Sequence, residues 1–284
     1  MGIDLALKAE HAELGARFGS FGDAEVVLDY GIPVDEPLPL DHPLALELSF
    51  QGSIHVVGND AARFLQALTS ADVEGLGHPG AGVYGLVLTS ESEIIDLVRI
   101  VRTGDAEFLL VTDAPVTGEV LEWLERFAAL EDAEGKLFPG VSIEDQTGRL
   151  AVLGLMGAGG ADILCELAGE GASRLQSALS TGIYLGHDIG GLPMMIVADH
   201  EVESTLSIYA SRAVATALWR TLMGFLEVQA VGFDQYVSIR RAHGLWLDGV
   251  EEGRYRTPDE AGLTHLLRPG GAYVGAKCQG DGSL

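Results

Sequence analysis

The chain has 284 residues, 47% of them hydrophobic, which is enough for one large domain or two medium ones with a sizeable core. Its 17 Lys and Arg residues against 42 Asp and Glu residues give a net charge of −25. Such a chain repels phosphate backbones and anionic lipids, which disfavours nucleic-acid and membrane partners. Cys165 and Cys278 lie far apart and outside any zinc-ligand spacing, so neither a disulfide framework nor a metal site is expected.

The N-terminus carries no sign of export. It lacks the basic and apolar regions of a signal peptide. No apolar run approaches the roughly 18 residues that a membrane-spanning helix needs. A cytoplasmic location is therefore expected by default.

The first half of the chain alternates short strands with helices. Apolar spacing predicts an amphipathic helix over 5–18, and alternation around a Gln-Gly-Ser turn predicts a hairpin over 44–57. Asn59 and Asp60 are typical of a helix start and precede a predicted helix over 61–68. The remaining predicted elements of this half are strands at 83–88, 94–101 and 107–111 and a helix at 116–130.

The second half repeats this mixture. The predicted elements are strands at 150–155, 194–198 and 205–209 and helices at 161–168, 213–225 and 232–243. Without strict alternation of strand and helix, an α+β fold with mixed or antiparallel sheets flanked by helices is favoured over a doubly wound one. The polar stretch 132–140 predicts a boundary between a module of residues 1–135, with a central hairpin, and a second module of residues 136–278. Residues 279–284 are expected to be a frayed tail.

A glycine-rich turn at 153–160 follows a predicted strand and opens a predicted helix. Such turns can bind a dinucleotide phosphate on helix amides. The spacing is not that of the nicotinamide fingerprint, because Asp162 occupies the last glycine position and no acidic residue follows at the required distance. A flexible turn is the preferred interpretation. No histidine or serine has the spacing of a metallohydrolase or serine hydrolase.

Asp96 is the most informative single residue because it interrupts an apolar strand. Alternation would place Ile94, Asp96 and Val98 on one face of that strand, opposite Ile95, Leu97 and Arg99. A half-buried carboxylate is costly unless it is hydrogen-bonded, or serves as an acid, base or cation partner. The competing interpretation is an aspartate at a strand edge that faces water.

Four stretches of the chain form a recognisable set: residues 11–17; residues 58–65; Tyr84 with 94–98 and 108–111; and Arg240 with 257–263 and 273–275. Together they resemble a known family, the folate-binding aminomethyltransferases: the T-protein of the glycine cleavage system and its paralogues, including folate-dependent iron–sulfur assembly proteins. Residues 11–17 look like the family's opening helix, and residues 58–65 look like its G-x-x-A-x-x-F-L helix start. The stretch with Tyr84 looks like the family's central hairpin, and the stretch with Arg240 looks like its succession of R-x-E-A-G, P-x-E-A-G-L and F-x-G-K.

The resemblance implies a site for tetrahydrofolate. It implies that Asp96 is the catalytic carboxylate, which orients the folate and the aminomethyl group while an iminium-like intermediate is captured. It also implies folate contacts from other residues, with Glu201 competing with Glu203 for the pterin edge. These expected contacts are Tyr84, Val98, Thr112, Glu203 and Arg240.

The family's hairpin pattern is G-G-I-I-D-D-L, and its second Asp is the catalytic one. This chain has a single Asp there, which leaves two registers. If the register is set from the following strand, Asp96 matches the second Asp. If it is set from Tyr84, Asp96 matches the first and Leu97 replaces the catalytic residue. The former is preferred, because a one-residue deletion fits the turn at 89–92 better than the strand.

The chain also departs from the family. The family's T-G-Y-T-G-E segment is residues 198–203 here, without its glycines and tyrosine, and its strand-end Asn is Thr112. Tyr236 and Ala242 stand where the family has Arg and Glu. The assembly paralogues' Cys motif is missing, with Ala272 at its place. The sequence ends near the expected start of the family's C-terminal β-barrel, so that barrel is expected to be absent.

These departures leave three hypotheses for function. The first is a folate-dependent aminomethyl or one-carbon transferase, with a lipoyl carrier protein as a partner. The second is a non-catalytic folate-binding protein with a regulatory or iron–sulfur assembly role. The third is a nicotinamide protein that uses the turn at 153–160.

The acidity is uneven along the chain. Residues 1–239 hold 11 Lys and Arg and 36 Asp and Glu residues, whereas residues 240–284 hold six of each. Binding of a folate with its anionic glutamate tail requires local positive charge. Arg240, Arg241, Arg254 and Arg256 supply it if they converge; the alternative is ordinary surface ion pairing.

Overall fold

The computed structural model describes residues 2–31, 37–133, 135–202, 204–252 and 256–276. In this part of the chain the helices are α1 (Lys8–Glu13), α2 (Ala61–Leu68), α3 (Thr117–Ala128), α4 (Gly160–Ala168), α5 (Ala172–Thr181), α6 (Arg212–Leu222) and α7 (Phe233–Ala242). The strands are β1 (Arg17–Phe21), β2 (Ala24–Asp29), β3 (Leu44–Glu47), β4 (Gly52–Val57), β5 (Gly82–Leu88), β6 (Ile94–Gly104), β7 (Glu107–Thr112), β8 (Glu131–Asp132), β9 (Gly135–Lys136), β10 (Ser142–Asp145), β11 (Ala151–Met156), β12 (Ile183–Gly186), β13 (Met194–Asp199), β14 (Thr205–Ala210) and β15 (Gln229–Ala230).

The first large sheet is antiparallel, with five strands in the order β10-β4-β7-β6-β5. Short turns join β5, β6 and β7, as the sequence predicted. Helices α2 and α3 cover one face of this sheet, where Phe64 and Leu124 pack against Val98 and Leu110. Each of these four side chains is at most 1% exposed, so this face is a complete apolar core.

The second large sheet has six strands in the order β12-β13-β14-β11-β3-β15. Its pairs are antiparallel except that β15 runs parallel to β3. Leu164 of α4, Leu175 of α5 and Trp219 of α6 belong to the core on its outer face, together with Ile208. The helices therefore flank one side of each sheet.

The inner faces of the two sheets meet in a third core. Leu46 of β3, Leu86 of β5, Leu97 of β6 and Tyr209 of β14 belong to it, together with Ile239 of α7. The layers are thus helices, six-stranded sheet, five-stranded sheet and helices, which confirms the predicted α+β class. The strands of the described residues lie in open sheets, and no closed barrel is present among them.

The predicted hairpin over 44–57 is wrong, although both strands exist. β3 pairs with β11 and β15, whereas β4 pairs with β7 and β10. The intervening residues turn the chain from one sheet to the other, with the Gln51 amide donating to the Leu48 carbonyl at 3.0 Å. A side chain at Gly52 would place its Cβ 2.1 Å from the Thr112 hydroxyl, so only glycine fits this crossing.

The predicted helix over 5–18 is shorter than expected. It covers Lys8–Glu13, and the chain leaves it through Gly15 at φ +78°, a left-handed conformation that favours glycine. The following residues form the hairpin β1–β2, which the sequence analysis missed. Tertiary pairing therefore overrides the apolar spacing after Leu14.

Strict alternation along β6 is also wrong. The pairing register shifts between Val87, which pairs with Asp96, and Leu88, which pairs with Ile94. Ile95 is the extra residue of a bulge. Ile94 consequently packs between the sheets, whereas Ile95 packs under α2 and α3.

The predicted division at residue 135 stays a prediction. β3, from residues 1–135, belongs to the six-stranded sheet, and β10, from residues 136–278, belongs to the five-stranded sheet. Within the described ranges no helix is both long and apolar enough to cross a bilayer. Those ranges also contain no cluster of three or more His, Cys, Asp or Glu side chains that could hold a metal ion.

Candidate functional site

A small cavity, the central cavity, lies between the two sheets beside α7. Its volume is about 40 Å³, room for about three water molecules at roughly 10–15 Å³ each. Pockets that bury small ligands span roughly 300–1,000 Å³. The polar and charged side chains of its wall include Gln51, Tyr84, Arg99, Asp113, Asp199, Tyr236 and Arg240.

Four buried side chains fill most of this space. The Tyr84 hydroxyl donates to Asp199 Oδ2 at 2.5 Å and accepts a hydrogen bond from Arg240. Arg99 Nε and Arg240 Nη1 lie 3.8 Å and 3.6 Å from the same Asp199 oxygen. The Arg240 guanidinium also stacks over the Tyr84 ring at 4.5 Å. Tyr84, Arg99, Asp199 and Arg240 therefore form one connected network, the Asp199 cluster.

The chain holds this network through its backbone as well. Arg99 donates to the Ala198 carbonyl at 2.5 Å, and Arg240 donates through Nε to the Leu245 carbonyl at 3.2 Å. The amides of Glu201 and Val202 donate to Asp199 Oδ1. Every oxygen of this carboxylate is therefore engaged.

Opposing influences act on the Asp199 carboxyl. Burial acts to raise its pKa, but Arg99, Arg240 and the Tyr84 hydrogen bond outweigh burial and hold the pKa below its ordinary value. Burial raises the pKa of Tyr84. Asp199 is therefore ionised at neutral pH, while Tyr84 keeps its proton.

A second pair of carboxyl groups lies at the edge of the cavity. The Asp113 amide donates to Asp96 Oδ2 at 3.1 Å, and Asp96 is 0% exposed. Asp96 Oδ1 is buried without a hydrogen-bond partner among the described residues. Burial and the nearby Asp113 charge raise the pKa of Asp96 well above its ordinary value. Burial raises the pKa of Asp113 to about 7, against an opposing influence from Arg240.

Residues 7–269 match the family model of the GCVT N-terminal domain. The chain belongs to this family. It is 30% identical over 264 residues to an aminomethyltransferase of Rubrobacter xylanophilus, covering 92% of this chain and 67% of the relative. It is 27% identical over 286 residues to an aminomethyltransferase of Pelodictyon phaeoclathratiforme, covering 96% and 74%.

A solved structure supports the same fold. The glycine cleavage system aminomethyltransferase T from Bartonella henselae superposes with a TM-score of 0.72 at 23% identity, covering 96% of this chain and 73% of that one. The resemblance drawn from the sequence is thereby confirmed at the level of family and fold.

The structure brings together three of the six residues expected from the GCVT family resemblance. Tyr84 and Arg240 touch one another in the central cavity, and Thr112 lines it. Thr112 also exchanges a hydrogen bond with Thr117 at 2.7 Å. Their common location agrees with the sequence expectation, although their roles toward a ligand stay predictions.

The other three lie elsewhere or outside the described residues. Val98 packs under α2 and α3, away from the cavity. Asp96 is not part of the cavity wall, whereas the next residue, Leu97, is. The wall thus follows the register in which Leu97 stands at the family's catalytic position. Glu203 lies outside the described residues.

Sequence reasoning missed three charged residues of the cavity. Asp113 directly follows Thr112 at the end of β7, and Asp199 lies inside the segment that was compared with the family's T-G-Y-T-G-E. Arg99 follows Asp96 by three residues on β6. An arginine within an apolar strand was the available signal, because a buried guanidinium requires an anionic partner.

Of Arg240, Arg241 and Arg256, which belong to the described residues, Arg240 alone lines the cavity. Arg241 pairs with Asp248 at 2.5 Å on the surface, and Arg256 donates to the Asp248 carbonyl. Arg254 lies outside the described residues. For Arg241, ordinary surface ion pairing was the correct alternative.

Two backbone amides of the glycine-rich turn at 153–160 donate to carbonyl groups of this chain. The Gly157 amide donates to the Ser204 carbonyl at 3.0 Å, and the Ala158 amide donates to the Leu40 carbonyl at 2.9 Å. Gly157 has a φ of +93°, and a Cβ there would lie 2.3 Å from the His42 carbonyl oxygen. The turn does enter α4, as the preferred interpretation held, but its glycines serve close packing.

Proposed function

We propose that this chain binds tetrahydrofolate in the central cavity and transfers an aminomethyl or other one-carbon group to it. The observation that carries the proposal is the convergence of Tyr84, Asp113, Asp199 and Arg240 on one cavity in a chain of the GCVT family. A pterin offers N–H donors to carboxylates and a flat ring to aromatic side chains. The glutamate tail of a folate offers carboxylates to arginines.

The chemistry of the wall fits this ligand, but its present volume does not. About 40 Å³ is far below the roughly 300 Å³ at which ligand pockets begin. In this proposal the side chain of Arg240 leaves Tyr84 and the Leu245 carbonyl, which opens the cavity on the side of α7. The released guanidinium then pairs with an anionic group of the ligand.

The proposed donor is an aminomethyl group on a lipoyl carrier protein. The relatives named aminomethyltransferase support this choice of substrate class. When bound, tetrahydrofolate supplies the nitrogen atoms that accept the one-carbon unit. The residues of this chain bind it, exclude water and orient it between the two sheets.

Calorimetric titration with tetrahydrofolate and with 5-formyltetrahydrofolate tests the proposal. The wild-type chain is expected to bind both, and Arg240→Met is expected to weaken binding at least about tenfold, since a charged hydrogen bond contributes roughly 1.5–3 kcal/mol. Arg220→Ala, which removes a surface ion pair with Glu10, is the matched control and leaves binding unchanged. Absence of binding to wild type at millimolar ligand would refute the proposal.

A second candidate is a non-catalytic folate-binding protein with a regulatory or iron–sulfur assembly role. It is favoured by Leu97, which places an apolar side chain in the cavity wall beside the buried Asp96. A turnover assay with an aminomethyl-loaded lipoyl carrier protein separates the two. Binding without turnover supports the second candidate, and measurable transfer removes it.

A further inference from the structure

We infer that Asp113 and Asp96 form one proton-holding carboxyl pair, in which Asp113 exchanges a proton with a nitrogen atom of the bound ligand and Asp96 positions Asp113. The identity of that ligand rests on the proposed function. The pair itself rests on the Asp113 amide bond to Asp96, the unpartnered Asp96 Oδ1 and the place of Asp113 in the cavity wall.

The two residues meet across neighbouring strands. β6 and β7 are antiparallel, with Arg99 opposite Val111. The same register, continued by two residues, places Leu97 opposite Asp113. Asp96 then reaches the chain just beyond β7, where its Oδ2 accepts the Asp113 amide at 3.1 Å. This hydrogen bond fixes the backbone from which the Asp113 side chain enters the cavity wall.

The cavity offers Asp113 as its available acid or base. Asp199 also lines the wall, but two arginines and a tyrosine engage it. No ion pair within the described part of the chain includes Asp113. Of the two carboxyl groups that the described residues place in the wall, Asp113 is therefore the one that can gain or lose a proton without breaking an ion pair.

The buried atom of Asp96 points to the same conclusion. Its Oδ1 has no partner among the described residues. An ionised carboxylate left in this state is costly, and a proton held within the pair removes that cost. Burial and the adjacent carboxyl group act in this direction on the pKa of Asp96.

The other charged groups near the pair are few. Arg240 and Tyr236 face Asp113 from α7, and Arg240 opposes the rise in the pKa of Asp113. Arg99, Tyr84 and Asp199 line the same cavity. Glu251 and Glu252 lie on a 3₁₀ turn that packs against residues 114–116, and both are exposed to solvent.

The step that this pair performs is a single proton transfer. An N–H bond of the ligand breaks as an O–H bond forms on the Asp113 carboxylate, and the electron pair stays on the nitrogen. The reverse transfer restores the carboxylate. No oxidant, reductant or further reactant is involved, and Asp96 acts only as a positioning residue.

Titration of the free protein tests the pair without any ligand. Carbon-13 NMR of labelled aspartate carboxyl groups is expected to show a resonance with a midpoint near pH 7 that Asp113→Asn removes. In Asp113→Asn the Asp96 resonance, which Asp96→Asn identifies by removing it, is expected to titrate at a lower pH than in wild type, because the Asp113 charge is one of the causes that raise the pKa of Asp96. Asp162→Asn, on the exposed face of α4, is the matched control and leaves the midpoint unchanged.

The inference is overturned if every aspartate titrates below pH 5, or if Asp113→Asn leaves the Asp96 midpoint where it was. Thermal unfolding of each variant shows whether it is folded. Asp113→Glu keeps a carboxyl group at the site and is expected to retain a resonance that titrates above pH 5. These outcomes hold whether or not the chain binds a folate.

A second measurement links the pair to the ligand. Titration with 5-formyltetrahydrofolate near pH 7, in buffers of different ionisation enthalpy, counts the protons exchanged on binding. Wild type is expected to exchange a proton and Asp113→Asn none. Binding by wild type without proton exchange overturns the inference while the proposed function stands. Absence of binding refutes the proposed function, and the NMR titration still decides the pair.

Discussion

Two buried polar clusters lie on opposite faces of the six-stranded sheet, and they differ in what surrounds them. Under α1, His11 Nε2 lies 2.8 Å from Glu47 Oε2. The Tyr30 hydroxyl is hydrogen-bonded to His11 Nδ1 at 2.7 Å. Between the sheets, the Asp199 cluster lines the central cavity. Both bury charged side chains, which folding tolerates only when their polar atoms are paired.

The first cluster leaves no atom of its carboxylate unpaired. Glu47 accepts the Ala6 and Leu7 amides in addition to His11, so it anchors the start of the chain to β3. In the cavity wall Thr205 Oγ1 is buried without a partner among the described residues, and so is Oδ1 of Asp96, which lies behind the wall residue Asp113. A satisfied buried cluster is typical of a structural anchor, whereas unpaired atoms beside a cavity indicate a place for a ligand.

The largest effect is expected from Glu47→Ala. The change removes the acceptor of two backbone amides and of His11, and we expect a loss of about 3–5 kcal/mol in the free energy of unfolding. Urea denaturation measures it. Arg220→Ala, which breaks the surface ion pair of Arg220 on α6 with Glu10 on α1, is expected to cost no more than about 1 kcal/mol. Equal effects of the two changes would contradict the anchor role of Glu47.

A smaller effect is expected from Asp199→Asn. Arg99 and Arg240 lose their shared counter-charge but keep the Ala198 and Leu245 carbonyls as acceptors. We therefore expect a loss of about 1.5–3 kcal/mol in the free energy of unfolding, the contribution of a hydrogen bond to a charged group. Folate binding is expected to weaken as well, whereas Glu47→Ala changes binding only through folding. A variant as stable as wild type would show that the Asp199 cluster does not stabilise the fold.

The pH dependence of stability distinguishes the two regions further. The pKa of Asp113 is raised from 3.8 to about 7, so its proton favours the folded state below pH 4 and that contribution is lost as pH rises to 7. We expect a decline of about 2 kcal/mol over this interval, since one pKa unit corresponds to about 1.4 kcal/mol and Asp113 keeps partial solvent contact. Denaturation from pH 4 to 8 measures it. Asp113→Asn should reduce the decline to the part that the raised pKa of Asp96 contributes, and a variant with an unchanged slope would assign the dependence to other groups.

The mixture of strands and helices could be predicted from the sequence because the elements β5, β6, β7, β11, β13 and β14 are short, apolar and separated by polar turns. The pairing partners of the strands could not be predicted. β3 is buried on both faces, so its residues carry no signal of which sheet it joins. The pairing with β11 is decided by contacts about a hundred residues away.

The site could likewise be predicted only in part from the sequence. Asp96 is conspicuous as a carboxylate within an apolar strand, but the bulge at Ile95 changes which residue faces the cavity. Asp199 and Arg240 belong to different elements, and only tertiary packing brings them to Tyr84. Local patterns identify unusual residues, whereas long-range contacts determine which of them work together.

The four-residue connection between β3 and β4 has a mechanical consequence. Face-to-face sheets lie roughly 10 Å apart, and five Cα steps span at most roughly 19 Å when fully extended. The turn between Leu48 and Gln51 already uses part of that length. This short connection keeps the two sheets close together where it joins them. If the space between the sheets becomes wider, the sheets must therefore rotate about the connection, with the largest displacement on the side away from it.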